Sequence, residues 1–199
     1  MALRRLTAAL VLAATALTVL TFAVRGRAEQ PRQPRQPVAA AAAATVAAPT
    51  SADLEFAQMM VVHHAQAVRM SRALVAKPGV PERVRLIADF IAHDQQREID
   101  ETNAWLDAWG GAHASAGHHH AGGGSAGMLT EAQLRQLDAA TGPAAGRMFL
   151  RLMIEHHTGA ITMARALLDG DGRNVYTHGM AKHVINEQTA ENDAMRALL

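Results

Sequence analysis

Apolar residues recur along this chain with the period of a helix rather than of a strand. Over residues 56–74, FAQMMVVHHAQAVRMSRAL, the positions Phe56, Met60, His63, Ala67, Met70 and Leu74 fall 4, 3, 4, 3 and 4 residues apart. That is the seam of a helix packed in a bundle, and a histidine occupies one of its core positions. Ser51 or Asp53 can cap the start of this helix, which is predicted to run to about residue 77, where Pro78-Gly79 stops it. A second helix opens at Pro81-Glu82. Its seam reads Val84, Ile87, Ile91, Gln95 or Asp94, Glu98, Thr102, Trp105 and Trp109, apolar at both ends and polar in the middle. A short helix is predicted over 130–138, a third long one from Pro143 to about 169–172, and a fourth from about 174 to the C-terminus.

The pattern occurs twice. Phe56, Met60, His63, His64, Ala67, Met70, Arg72, Ala73 and Leu74 return unchanged 93 residues later as Phe149, Met153, His156, His157, Ala160, Met163, Arg165, Ala166 and Leu167. At the same offset Ala88, Gln95, Glu98 and Asp100 map onto Ala181, Gln188, Glu191 and Asp193, so the duplication covers a helix pair in each half. Two such hairpins joined by one long crossover make a four-helix bundle. At about 100° per residue, Met60, His63 and His64 share a helical arc of roughly 100°, and Met153, His156 and His157 repeat the arrangement.

Composition narrows the class to all-α, because Ala, Leu, Met, Arg and Gln lose little on entering a helix and aromatics are few. Residues 1–28 read as a signal peptide or signal anchor: Arg4 and Arg5 precede an uncharged apolar run over 6–24 that could also tether the protein to a membrane. The expected localisation is therefore outside the cytoplasm: secreted, periplasmic or in the cell envelope. A Pro, Gln and Ala-rich linker follows over 29–51, and the bundle is assigned to 52–199, with repeats at 53–110 and 146–199 and a His/Gly-rich loop over 111–127. Beyond residue 28, fifteen basic side chains face eighteen acidic ones, a balance that does not suit nucleic acid. Cysteine is absent, so disulfides, thiolate metal sites and cysteine catalysis are excluded together.

A Met-x-x-His-His-x-x-Ala-x-x-Met helix, followed by a helix carrying Gln-x-x-Glu and then Trp105-Leu106 and Trp109-Gly110, resembles the secreted bacterial family called domain of unknown function 305. The resemblance rests on Asp53, Phe56, Met60, His63, His64, Ala67, Met70, Gln95, Glu98 and Ile99 with their second copy, and spans about 53–199. It implies a ferritin-like fold and, for some members, a link to copper binding and tolerance. Thr102 stands where members often carry Met, and Asn192 replaces the usual Ile after the glutamate.

The residues themselves allow the same chemistry. Imidazole suits copper, zinc, iron and nickel, whereas a thioether selects Cu(I), so Met60, His63, His64, Met153, His156 and His157 point to copper, with another transition metal as the alternative. Met70 and Met163 are possible additional ligands, though seam methionines commonly just fill space. His113, His118, His119 and His120 in the loop could also take up metal. Gln95, Glu98, Gln188 and Glu191 are placed to orient the histidines by hydrogen bonds. The competing reading is a secreted interaction module whose His/Gln/Glu core holds no metal. A di-iron or di-manganese redox enzyme fits less well, because Met60 and Met153 stand where such centres carry a carboxylate three residues before His. No nucleophile motif or His-Glu-x-x-His zinc motif frames a hydrolase. His93, His178 and His183 have no counterpart in the repeat and read as ordinary surface or seam residues.

Overall fold

Proline and glycine divide the chain where the periodic segments end. The structure, a computed structural model, describes residues 47–110 and 126–199. It contains α1 (Ser51–Val75), α2 (Glu82–Ala108), α3 (Glu131–Ala139), α4 (Gly142–Asp169) and α5 (Val175–Arg196), with no strand among the described residues. The expected segment over 1–28, the linker as far as 46, and His113, His118, His119 and His120 lie outside the described residues.

α1 starts with a capping box: the Thr50 hydroxyl accepts from the Asp53 amide while the Asp53 carboxylate accepts from the Thr50 amide. It ends two residues earlier than expected. The Lys77 amide turns back to the Leu74 carbonyl at 3.0 Å, a tightened last turn ahead of Pro78. α3 is capped in the same reciprocal way by Thr130 and Gln133, and α4 opens with Pro143 in its first turn. The four long helices form an all-α, ferritin-like bundle of two hairpins, α1–α2 and α4–α5, with α3 laid against one end through Leu134 and Leu137.

The packing fixes the direction of α4 against α1. Phe56 and Met60 share one apolar cluster with Ala160, Ala164 and Leu167, whereas Ala67, Met70 and Leu74 share another with Phe149, Leu150 and Met153. Early residues of one helix meet late residues of the other, so α1 and α4 run antiparallel. Between the two clusters the core turns polar, and that layer contains the paired histidines.

Asp53 ties the two halves together at one end. Fully buried, its carboxylate also accepts from the amides of Arg173 and Asn174 and, at 2.5 Å, from the Thr177 hydroxyl. One side chain thus caps α1 and satisfies donors at the start of α5. The Asn174 side chain in turn donates to the Ala47 carbonyl at 2.9 Å.

Candidate metal centre

The seam spacing carries His63 and His156 to the middle of the α1–α4 contact, where their ring centroids lie 3.7 Å apart and tilted by 37°. His64 and His157, one residue on, turn toward the second helix of their own hairpin. His64 Nε2 stands 2.8 Å from Glu98 Oε2, and His157 Nε2 stands 2.8 Å from Glu191 Oε2. The duplication is therefore a structural pseudo-twofold whose axis passes between His63 and His156. All four imidazoles are essentially inaccessible to solvent.

Few of their nitrogens are satisfied. His63 Nε2 donates to the Ala126 carbonyl at 3.1 Å, which leaves its Nδ1 as a lone-pair acceptor without a partner. Neither nitrogen of His156 makes a hydrogen bond of ordinary geometry. The His64 and His157 contacts to glutamate are short but off the line of a ring N–H. Burial, reinforced by the neighbouring imidazoles, pushes His63 and His157 down to about 3 and His156 well below the ordinary histidine value. These rings are neutral at pH 7, the form that ligates metals.

The two glutamates occupy equivalent positions but differ in charge. Burial pushes Glu98 up, yet the His64 contact, with His183 and Arg97 beside it, outweighs burial and holds the carboxyl below its usual range. Glu191 is raised to about 7 by burial and then by the carboxylates of Asp94 and Glu98.

The methionines are arranged differently from the helical arc alone. Met60 and Met153 are both fully buried, but each precedes its histidine by three residues on antiparallel helices, so they fall on opposite sides of the imidazole layer, about 4.5 Å along the axis from it. Met60 packs in the cluster with Val184 and Met153 in the cluster with Ile91. Met70 fills the latter core, and Met163 lies at the edge of the former. Gln95 and Gln188 are buried nearby, but neither side chain hydrogen-bonds a histidine, and it is the glutamates one turn on that approach the rings to 2.8 Å.

A strap closes one side of the layer. The chain returning from the crossover at Ala126-Gly127 crosses α1 and α4, with Gly127 at φ 75°. Gln66 clasps it: its Oε1 accepts from the Leu129 amide at 2.8 Å and its Nε2 donates to the Leu129 carbonyl at 3.1 Å. On α4 the equivalent position is Gly159, and a Cβ there would lie 2.0 Å from the Ala126 oxygen. The repeat thus uses one position to hold the strap and its copy to make room for it.

Sequence reasoning missed a further group. Asp94, Glu98, His183 and Glu187 bring their ligand atoms within 4.8 Å of one another between α2 and α5. His183, expected to be an ordinary residue, has its Nε2 3.2 Å from Glu98 Oε1 and also contacts Glu187. The offset of 93 residues could have found part of it, since it maps Asp94 onto Glu187.

The profile of the family described as Domain of unknown function (DUF305) matches residues 53–199. The chain belongs to the DUF305 family. Among solved DUF305 structures, one from Streptomyces coelicolor, described as a secreted protein, is 32% identical with a TM-score of 0.68 and covers 75% of this chain and 92% of its own. A fragment from Deinococcus radiodurans is 28% identical at a TM-score of 0.67, covering 76% and 97% respectively. CopM in its Cu(II)-bound form is 27% identical at a TM-score of 0.60, covering 73% of this chain and 94% of CopM, and CopM has also been solved with Cu(I) and with Ag. No curated protein matches the chain. Among the described residues, no helix is long and apolar enough to cross a membrane.

Proposed function

We propose that this DUF305 protein is an exported copper-binding protein that holds the metal at the layer of His63, His64, His156 and His157, flanked by Met60 and Met153, for sequestration or tolerance rather than turnover. The observation that carries the reading is His156. It is fully buried and neutral, 3.7 Å from its repeat partner, and neither of its nitrogens is hydrogen-bonded. An unsatisfied buried polar group costs about 1–3 kcal/mol, and a bound soft cation offsets that cost at several imidazoles at once. Because the thioethers stand on opposite sides of the layer, Met60 and Met153 serve two related positions rather than one six-ligand cluster.

CopM, solved with copper and silver, supports the choice of metal, and its Cu(I) and Ag forms suit a thioether-containing set. Export rests on the Arg4-Arg5 and apolar 6–24 segment together with the Streptomyces coelicolor relative described as secreted. The partner is accordingly a metal ion. The histidine-rich loop, with His113 and His118 to His120, supplies a separate place for Cu(II) capture. A metal-free interaction module is favoured by the glutamate contacts of His64 and His157, but those contacts leave His63 Nδ1 and all of His156 unexplained.

The test is a competitive Cu(I) and Cu(II) titration of the metal-free protein beside a variant with His63, His64, His156 and His157 changed to Ala. Binding that disappears in the variant supports the helical site. Undiminished binding assigns the metal to the loop, and no binding by either protein leaves the interaction module.

A further inference from the structure

The repeat places two carboxylates, four residues apart, at equivalent positions: Asp94 and Glu98 on α2, Glu187 and Glu191 on α5. A spacing of four puts each pair on one helix face, and the pseudo-twofold turns the two faces toward each other. Asp94 and Glu98 are buried, Glu187 is half-buried and the Glu191 side chain is 11% exposed. Carboxylates gathered this closely repel one another unless something positive stands among them.

The side chains present supply only part of that charge. Arg97, exposed, pairs with Asp94 from outside, and His183 contacts both Glu98 and Glu187. His183 stands where the first repeat has Phe90, an exposed side chain, so the imidazole is an addition that breaks the symmetry toward the carboxylates. A second observation is independent of the acidic residues. Two fully buried imidazole nitrogens, His64 Nε2 and His157 Nε2, stand 2.8 Å from Glu98 Oε2 and Glu191 Oε2. The histidine layer therefore engages only one oxygen of Glu98, and the other, Oε1, is turned away from it toward His183 Nε2 at 3.2 Å.

We propose that Asp94, Glu98, His183 and Glu187 form a second metal site, separate from the Met/His layer, for a divalent transition ion that prefers nitrogen and oxygen ligands. One imidazole and three carboxylates contain no soft donor, so the set selects against Cu(I) and suits ions such as Zn(II). The ligand atoms already lie within 4.8 Å of one another. His183 is half-exposed, which gives the ion a way in from solvent. Glu98 presents Oε1 to this site and Oε2 to His64, and so touches both sites.

The experiment is isothermal titration with Zn(II) at pH 7.5, using the full chain in a background where His113, His118, His119 and His120 are changed to Ala. That background silences the loop. The expected result is one tightly bound ion whose affinity falls at least tenfold in His183→Ala and in the double variant Asp94→Asn/Glu187→Gln, while His63→Ala/His156→Ala keeps it. His183→Ala alters a half-exposed side chain, and helical circular dichroism on each variant confirms that the bundle is intact. Cu(I) affinity, measured separately, is expected to be unchanged in His183→Ala. Absence of Zn(II) binding, or loss in His63→Ala/His156→Ala with retention in His183→Ala, would overturn the proposal. Neither result bears on Cu(I), so this inference and the copper reading can fail separately.

Discussion

Gly159→Ala is the substitution on which the strap makes its clearest prediction. In an ordinary helix the exchange stabilises by about 1 kcal/mol, because alanine loses less backbone entropy. Here the new Cβ meets the Ala126 oxygen at 2.0 Å, the Ala126 carbonyl carbon at 2.3 Å and the Gly127 Cα at 2.4 Å, all backbone atoms. Ordinary contact begins near 3.4 Å, so the strap must retreat by about 1.4 Å. The His63 Nε2 bond to Ala126, 3.1 Å long, does not survive that retreat. Crowding of this kind costs about 1–3 kcal/mol, and a buried imidazole N–H left unpaired costs a similar amount. After the helix gain is set against them, a net loss of about 1–5 kcal/mol remains. Urea denaturation followed by circular dichroism measures it, with Gly179→Ala on α5 as the internal control. Nothing lies within 4 Å of a Cβ at Gly179, so the control is expected to gain stability. Equal or greater stability of Gly159→Ala than of Gly179→Ala would refute the packing described for the strap.

Three other outcomes follow from the same geometry. Asp53→Ala strands the amides of Arg173 and Asn174 and the Thr177 hydroxyl as well as removing a cap, and is expected to cost about 3 kcal/mol or more in a urea titration; a loss below about 1 kcal/mol would show that these groups find other partners. Because His63 and His157 titrate near 3 and His156 well below its usual value when folded, the unfolded chain takes up their protons first. Their contribution to stability is therefore complete above about pH 6.5 and is lost as pH falls from there toward 3. Glu191, raised to about 7, acts in the opposite sense: its contribution is complete below the ordinary glutamate value and fades as pH rises through 7. Three groups against one give a urea midpoint that drops between pH 6.5 and 4, and a variant lacking the four paired histidines is expected to flatten that drop. Copper affinity should change little between pH 7 and 5, since few protons must leave these rings; a steep fall measured by competition in that range would mean that they are protonated in the fold.

The long helices were legible because breakers mark their ends, Pro78-Gly79, Pro81 and Pro143, and because Asp53 belongs to the first cap, although the N-cap itself is Thr50 rather than Ser51 or Asp53. The histidine layer was legible because His63 and His156 interrupt an apolar seam at matching positions; the polar middle of the second helix announced Glu98, and the offset of 93 residues carried it to Glu191. What the sequence could not carry was the relative direction of α1 and α4. Met60 and Met153 share an arc with their histidines on each helix, yet antiparallel packing separates them across the layer. The Asp94, Glu187 and His183 group was hidden for the same reason, since it exists only where two helices distant in sequence come face to face. Gln95 and Gln188 had the right spacing, but their side chains do not bond the imidazoles.

The strap meets His63 through the carbonyl of Ala126, a group that every amino acid possesses. The contact therefore places no demand on which side chain the crossover carries there. Clasped by Gln66 at Leu129, the end of the crossover keeps its anchorage whatever lies upstream.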